Sequence, residues 1–176
     1  MRVDAGRHRG RPLKAPPGRT TRPTADRVRE ALFSILGDVR GTSVADLFAG
    51  SGALGIEALS RGAASATFVE RDRRTAAVIR ANLDTLGEAA EVAVDDAPGW
   101  LDSSREGAAF DLVLIDPPYD SAPRLGVTLS EHLPAVLSPE ALIVTESDKR
   151  NPLTLDLPLD TERTYGDTRI AIHRGR

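Results

Sequence analysis

The stretch Val44-Ala45-Asp46-Leu47-Phe48-Ala49-Gly50-Ser51-Gly52-Ala53-Leu54-Gly55-Ile56-Glu57-Ala58-Leu59 decides the fold of this chain. Its first residues form the short apolar run of a buried strand, and its last residues repeat apolar side chains at helical spacing. Between them, Gly50, Gly52 and Gly55 form the pattern GxGxxG. Such glycines permit a tight turn, a close approach of a ligand to the backbone and close packing of helix on strand. The stretch therefore predicts a strand, a ligand-binding loop and a helix, as in nucleotide-binding α/β folds.

Two acidic residues at strand ends narrow the choice of ligand. Asp46 lies four residues before Gly50, where a carboxylate favours a positively charged sulfonium over a dinucleotide. Glu70 ends the next predicted strand, 18 residues after Gly52, and is placed to accept both hydroxyls of a ribose. Each acid alone could be an ordinary solvated residue. Together with the glycines they favour S-adenosylmethionine as the cofactor.

Length and composition limit the fold and exclude several chemistries. The 176 residues suffice for one domain, which we predict to span residues 23–176. No apolar run approaches the ~20 residues of a membrane span, and the basic start lacks a signal-peptide core, so we expect a cytoplasmic protein. The chain has no cysteine, which excludes disulfides and a catalytic thiol, and its three histidines are too scattered to predict a metal site.

The charge of the chain is strongly asymmetric. Residues 1–29 contain nine basic and two acidic residues, a net charge of +7, whereas the remaining residues carry 14 basic and 24 acidic ones, a net charge of −10. Residues 1–22 also contain several glycines and prolines, so we predict a basic N-terminal arm or hairpin there. Such an arm suits nucleic acid, although a solvated tail has the same composition.

Alternating strand and helix patterns predict an α/β fold with a doubly wound, mostly parallel seven-stranded sheet. The predicted strands are residues 44–48, 66–70, 91–95, 110–115, 141–146, 162–165 and 168–173. The predicted helices are residues 24–36, 53–61, 73–86 and 125–137, with a short helix near residue 100. The last two strands flank Gly166-Asp167, which is typical of an antiparallel hairpin at a sheet edge.

Two further loops follow predicted strands and open onto the same crevice. In the first, Asp96-Ala97 offers a carboxylate that could accept from an adenine amino group, cap the next helix, or do both. In the second, Asp116-Pro117-Pro118-Tyr119 combines a carboxylate, a rigid turn and an aromatic plane at the end of a nearly continuous apolar strand. A Pro-Pro turn closed by a packed tyrosine is the alternative for this second loop. The upstream glycines favour a site that receives a substrate.

Three segments in the order found here resemble the RsmD family: Arg22-Pro23-Thr24-x-Asp26-Arg27-Val28-Arg29-Glu30-x-Leu32-Phe33, Asp46-Leu47-Phe48-Ala49-Gly50-Ser51-Gly52-x-Leu54-Gly55 and Asp116-Pro117-Pro118-Tyr119. The resemblance extends over Gly6-Arg7-x-x-Gly10-Arg11-x-Leu13. It implies a Rossmann-like class I methyltransferase that uses S-adenosylmethionine to modify a guanine N2 in 16S ribosomal RNA. Val3-Asp4-Ala5 departs from the more apolar opening expected for the family.

The resemblance and the loops together give three sets of candidate residues. The resemblance implies that Asp116, Pro117, Pro118 and Tyr119 receive the target base. The predicted cofactor lining consists of Asp46, Phe48, Ala49, Gly50, Ser51, Gly52, Gly55, Glu70, Arg71, Asp96 and Ala97. The predicted RNA contacts are Arg7, Arg9, Arg11, Lys14, Arg19, Arg22, Arg27 and Arg29. The expected partner is 16S ribosomal RNA within an assembling small subunit, and the expected protein is a monomer without metal.

Methylation of an exocyclic amine fits these residues. The amine lone pair is delocalised into the ring, and two acceptors, Asp116 and the Pro117 carbonyl, can hold it out of conjugation. Both acceptors also stabilise the positive charge that grows on nitrogen. Tyr119 would stack on a base turned out of its helix or loop. Methylation at a cytosine C5 requires a thiol nucleophile, which this sequence lacks.

Other functions remain compatible with parts of the sequence. The glycine pattern and Glu70 also suit a nicotinamide oxidoreductase, but that function does not explain the loop Asp116-Pro117-Pro118-Tyr119. The basic arm alone would satisfy a non-catalytic RNA-binding assembly factor. The four-residue loop also serves adenine and cytosine amines of RNA or DNA.

Overall fold

The computed structural model describes residues 1–16, 23–104, 109–118 and 122–175. The strands in these ranges form one sheet in the order β3-β2-β1-β4-β5-β7-β6. They are β1 Ser43–Leu47, β2 Ser65–Val69, β3 Glu91–Ala93, β4 Phe110–Ile115, β5 Leu137–Asp148, β6 Leu159–Tyr165 and β7 Thr168–Arg174. β1 to β5 are parallel, and β7 pairs antiparallel with β5 and β6. The predicted mostly parallel seven-stranded sheet is confirmed.

Helices cover both faces of the sheet. The α-helices of the described ranges are α1 Pro23–Leu36, α2 Ala53–Ser60, α3 Arg73–Leu86, α4 Ala97–Ser103 and α5 Ala122–His132. α1, α2 and α3 bury Leu32, Ile56 and Ile79 on one face, and α4 and α5 bury Leu101 and Leu129 on the other. This double cover explains why β4 is apolar along its length. None of these helices combines the length and apolarity needed to cross a membrane.

The ends of several elements differ from the predicted ones for local reasons. β3 stops at Ala93, because the next residues turn: the Asp95 carboxylate accepts the Asp96 N–H at 2.8 Å. The helix expected over 125–137 is α5, which ends at His132 and continues as a 3-10 helix, Leu133–Val136, with a proline in its first turn. Proline cannot supply the N–H that an α-helix needs there.

The N-terminal arm folds back on itself and packs against α2 and α3. Arg2 and Pro12 form an antiparallel bridge, and residues Gly6–His8 form a 3-10 turn between them. Val3 and Leu13 are buried in the same core cluster as α1, α2 and α3. The hairpin therefore forms despite the polar opening of the arm, and its described residues share the core of the sheet.

Arg29 connects α1 to the arm through its guanidinium. It is 4% exposed, and its guanidinium forms two bonds to the Asp4 carboxylate, at 2.8 and 2.9 Å. A third bond reaches the Arg2 carbonyl at 2.7 Å. Because these donors are used inside the protein, Arg29 has a structural role, and its contact with RNA stays a prediction.

Candidate active site

The glycine loop, residues 48–55, follows β1 and contains several residues in the left-handed backbone conformation. Phe48 has φ +65° and Gly50 has φ +57°, while Gly52, which caps α2, has φ +78°. Gly55 is needed for another reason, since a Cβ there would lie 2.4 Å from the Phe68 ring. α2 can therefore pack this closely on β2 only with glycine at residue 55. Two of the predicted functions of these glycines, the tight turn and the close packing, are present.

Glu70 lies directly after β2 and shapes the glycine loop. Its Oε2 accepts the N–H of Gly50 at 3.0 Å, and its Oε1 accepts the N–H of Asp72 at 2.9 Å. A carboxylate has about four lone-pair sites, so capacity remains for the hydroxyls of a ribose. The half-buried Glu70 carboxylate thus connects the glycine loop to the end of β2. Its predicted contact with a ribose stays a prediction.

Asp46 is not a solvated strand-end acid. It is 1% exposed, and its Oδ2 accepts the N–H of Gly55 at 2.9 Å. Burial, together with the negative charges of Asp116 and Glu70, raises the pKa of Asp46 to about 8 against the lowering effect of the Gly55 hydrogen bond. Asp46 therefore holds the glycine loop through the Gly55 N–H, and a positive charge nearby would favour its ionised form.

The Asp96 loop has the capping role that the sequence allowed. The Asp96 carboxylate accepts the N–H of Gly99 at 2.8 Å, at the start of α4. Ala97 is buried, whereas Asp96 and Arg71 are exposed. The contact of Asp96 with an adenine stays a prediction, and one carboxylate has the capacity for both roles.

Asp116-Pro117-Pro118 follows β4, the strand that pairs with β1. Asp116 is half-buried, Pro117 is buried and Pro118 is exposed. The structure therefore places the predicted substrate loop beside the glycine loop, on neighbouring strands. Tyr119 lies outside the described residues, and its stacking on a base stays a prediction.

Glu146 is a site residue that the sequence analysis missed. In the parallel pair of β4 and β5, Ile115 is opposite Thr145, so Glu146 takes the register position next to Asp116. Burial, and then the negative charge of Asp116, raise the pKa of Glu146 to about 8. An acid at the end of a predicted strand was visible in the sequence, but the pairing of this strand with the Asp116 strand was not.

The acids converge on one edge and one face of the sheet. Val44 and Val144 belong to the core on the α1, α2 and α3 face, and Asp46 and Glu146 follow two residues later on the same strands. Side chains two residues apart point to the same face. With Glu70 and Asp116, four carboxyl groups therefore lie at or near the carboxyl ends of the adjacent strands β2, β1, β4 and β5.

This acidic edge fits a cationic cofactor and an amine substrate. A positive charge brought close to these carboxyl groups would favour their ionised form and lower their raised pKa values. They also accept hydrogen bonds from N–H groups, which amines supply. The edge is a poor match for the phosphates of a dinucleotide, because like charges repel. The residues present therefore fit S-adenosylmethionine.

Metal ligation has no support in the described part of the chain. No group of three or more histidine, aspartate, glutamate or cysteine residues is arranged there to hold a metal ion. The expectation of a metal-free protein stays a prediction.

The predicted RNA contacts divide into exposed and engaged residues. Arg9, Lys14 and Arg27 are exposed. Arg7 pairs with Glu88 on the surface, and the exposed Arg11 donates to the Thr85 carbonyl at 3.0 Å. Arg19 and Arg22 lie outside the described residues. The arm therefore presents Arg9, Arg11 and Lys14 on a folded hairpin.

Together, the doubly wound sheet, the glycine loop and the acidic edge define the class of Rossmann-like methyltransferases. The chain matches the family described as Conserved hypothetical protein 95 over residues 1–174. It therefore belongs to this family, which is the RsmD family that its motifs resemble.

Relatives and solved structures agree with this placement. Ribosomal RNA small subunit methyltransferase D of Escherichia coli strain K12 is 41% identical over 160 residues, which cover 87% of this chain and 77% of that relative. A solved Escherichia coli structure with a provisional methyltransferase name has a TM-score of 0.84 at 35% identity and covers 100% of this chain and 98% of that one. The Thermus thermophilus 16S rRNA N2 methyltransferase RsmC, solved with AdoMet and guanosine, shares the fold, with a TM-score of 0.71 at 22% identity over 91% of this chain and 45% of that one.

Proposed function

We propose that this protein transfers a methyl group from S-adenosylmethionine to the N2 amine of a guanine in 16S ribosomal RNA. The observation that carries the proposal is the position of Asp116-Pro117-Pro118 at the end of β4, beside the glycine loop at the end of the paired strand β1. Membership in a family with a ribosomal RNA small subunit methyltransferase at 41% identity supports this RNA as the substrate.

The glycine loop and the acidic edge would hold the cofactor. Its lining comprises Gly50, Gly52 and the Glu70 carboxylate, which already orders the loop through the Gly50 N–H. Asp46 places a carboxyl group under the loop and favours a positive charge. S-adenosylmethionine supplies, when bound, an electrophilic methyl group that a nitrogen nucleophile takes with the loss of one proton.

Asp116 and the Pro117 carbonyl would activate the amine. Each accepts one N–H of the N2 group, and this turns the lone pair out of conjugation with the ring. Positive charge then develops on nitrogen, next to a fixed carboxylate and a fixed carbonyl dipole that stabilise it. The two prolines keep these acceptors in place, so that much of the rate gain comes from orientation.

Glu146 would favour guanine as the substrate over adenine and cytosine, which also carry an exocyclic amine. Guanine presents the N2 amine next to a second donor, N1–H, whereas the amines of adenine and cytosine neighbour unprotonated ring nitrogens. Asp116 and Glu146 occupy adjacent register positions and supply two acceptors side by side. Once ionised, Glu146 would accept from N1–H and repel an unprotonated ring nitrogen, so this preference for guanine should strengthen as the pH rises through about 8.

The proposed substrate is 16S ribosomal RNA within an assembling small subunit. The exposed basic residues of the arm would bind RNA phosphates, and an assembling small subunit in the cytoplasm presents the target guanine to a monomeric, metal-free enzyme. This choice of substrate rests on the family, since naked RNA would satisfy the same side chains.

Mass spectrometry of 16S RNA nucleosides from cells with and without the gene tests the proposal. We expect N2-methylguanosine to decrease by one residue per RNA in cells without the gene, and to return with the intact gene but not with an Asp116→Ala variant. Labelled methyl transfer to small subunits and to naked RNA in parallel identifies the substrate state. An unchanged nucleoside content would contradict the proposal, and a missing methyladenosine or methylcytidine would instead identify another base.

A further inference from the structure

Asn82 joins the N-terminal arm to the glycine loop. It lies on α3 and is 2% exposed. Its Oδ1 accepts the N–H of Lys14 at 2.8 Å, and its Nδ2 donates to the Lys14 carbonyl at 3.1 Å. The same Nδ2 donates to the carbonyl of Ser51 at 3.1 Å. An amide nitrogen has two N–H donors, so Asn82 uses one for the arm and one for the loop.

The glycine loop is supported at three points. Glu70 holds the N–H of Gly50, Asp46 holds the N–H of Gly55, and Asn82 holds the carbonyl between them, that of Ser51. The first two supports are carboxylates at the ends of strands. The third is an amide whose orientation is fixed by the main chain of the arm. A shift of the arm at Lys14 would therefore change the support of the loop.

We propose that Asn82 is a positioning residue that couples RNA binding by the arm to cofactor binding by the glycine loop. RNA that holds the arm against α3 keeps Lys14 in contact with Asn82, and Asn82 in turn holds Ser51. The effect is reciprocal, because a cofactor that orders the loop must strengthen the attachment of the arm by the same factor. The identity of the RNA rests on the proposed function, whereas the effect of Asn82 on the cofactor does not.

Ser60 on α2 provides a matched control. It is 3% exposed, and its hydroxyl also makes two main-chain bonds to the arm, accepting the N–H of His8 at 3.0 Å and donating to the Ala5 carbonyl. Its hydrogen bonds to described residues do not include the glycine loop. A change at Ser60 therefore weakens the attachment of the arm without touching Ser51.

The experiment compares full-length Asn82→Leu and Ser60→Ala. Calorimetry without RNA measures the affinity for S-adenosylhomocysteine, and thermal unfolding shows that each variant is folded. We expect Asn82→Leu to weaken the affinity by at least ~5-fold, the low end of typical coupling. Ser60→Ala should weaken it less, because it loosens the arm at His8 but keeps the bonds of Asn82 to Lys14 and Ser51. Wild-type affinity in Asn82→Leu, or the same loss in both variants, would overturn the proposal.

A second measurement uses the wild-type protein, so it does not depend on a variant that folds. The affinity for small ribosomal subunits from cells lacking the gene is measured with and without saturating S-adenosylhomocysteine. We expect an increase of ~5-fold or more, matched by the effect of subunits on cofactor affinity. No change in either direction would overturn the coupling. Subunits that bind with this coupling but are never methylated would contradict the proposed function and leave the role of Asn82 intact.

Discussion

Asp116 is the residue on which the proposed methyl transfer depends most directly. Because its carboxylate would act mainly on the transition state, we expect Asp116→Ala to keep cofactor affinity within a few-fold and to lower the rate by ~10²–10³. Single-turnover transfer of a labelled methyl group, with calorimetry for the cofactor, measures both. Glu91→Ala, an exposed acid at the start of β3, is the control and should keep full activity. Near-normal turnover in Asp116→Ala would mean that another loop activates the amine.

Glu146 should control which base is accepted. Above pH 8, where Glu146 is ionised, a hydrogen bond to its charged carboxylate contributes ~1.5–3 kcal/mol. At such a pH we expect Glu146→Gln to lower transfer to guanine by roughly 10- to 150-fold. The amide of the variant can donate to an unprotonated N1, and transfer to 2,6-diaminopurine at the target position should therefore increase relative to guanine. Subunits or RNA fragments that carry either base allow the ratio of the two rates to be measured. An unchanged ratio would exclude Glu146 from base recognition.

Two carboxyl groups, Asp46 in β1 and Glu146 in β5, make the stability of the protein depend on pH. Asp46 and Glu146 have pKa values raised from 3.8 and 4.5 to about 8, chiefly by burial. The folded state therefore binds protons more tightly than the unfolded state. The stability that these groups contribute is full below pH ~4 and is lost as the pH rises through about 8. Denaturant unfolding of the cofactor-free protein at pH 5 and pH 8 measures this loss.

The same two groups should link cofactor binding to proton release. A sulfonium favours the ionised carboxylates and lowers their pKa values, so binding at pH 7 should release protons, and affinity should rise between pH 6 and pH 8. Calorimetry in buffers of different ionisation enthalpy measures the number of protons. S-adenosylhomocysteine, which lacks the sulfonium, is the matched ligand and should release fewer. Equal release by both ligands would contradict a carboxyl group close to the sulfur.

The sequence predicts those elements that are determined by residues close together in the chain. The glycine loop, α3 and the apolar strand β4 follow from neighbouring residues, and their predicted bounds agree with the structure to within a residue or two. The partners of Arg29 and Asn82 could not be predicted in this way. Arg29 bonds to Asp4 across 25 positions, and Asn82 bonds to Lys14 across 68. Such contacts depend on how the arm docks, which no short pattern encodes.

Because the basic arm packs on the core of the protein, its role in RNA binding should not be tested by deletion. Deleting the arm would remove Val3 and Leu13 from the core and expose the apolar side chains that they cover. It would also remove two N–H donors from Glu57, which is 1% exposed. We therefore expect a deletion to destabilise the protein, and charge removal on a folded arm is the cleaner experiment.

Three substitutions, Arg9→Gln, Arg11→Gln and Lys14→Gln, should weaken RNA binding and leave the fold intact. If each side chain neutralises one phosphate, the slope of log affinity against log salt falls by about 2, at ~0.7 for each contact with single strands. The matched control removes three exposed charges elsewhere, with Lys149→Gln, Arg150→Gln and Arg163→Gln. Binding at several salt concentrations measures the slopes. Equal slopes in the two triple variants would show that the arm charges do not contact RNA.

The order in which the ribosome makes these segments gives the docked arm a further consequence. Residues 1–16 are synthesised first, but their partners Glu57, Ser60, Asn82 and Glu88 come 52 to 81 positions later. At roughly 5–20 residues per second, the arm stays without these partners for several seconds. During that time a strongly basic segment is close to the RNA of the translating ribosome. The arm can complete these contacts only after α3 and Glu88 have been synthesised. Its docking therefore competes with the same kind of ligand that the finished protein is proposed to bind.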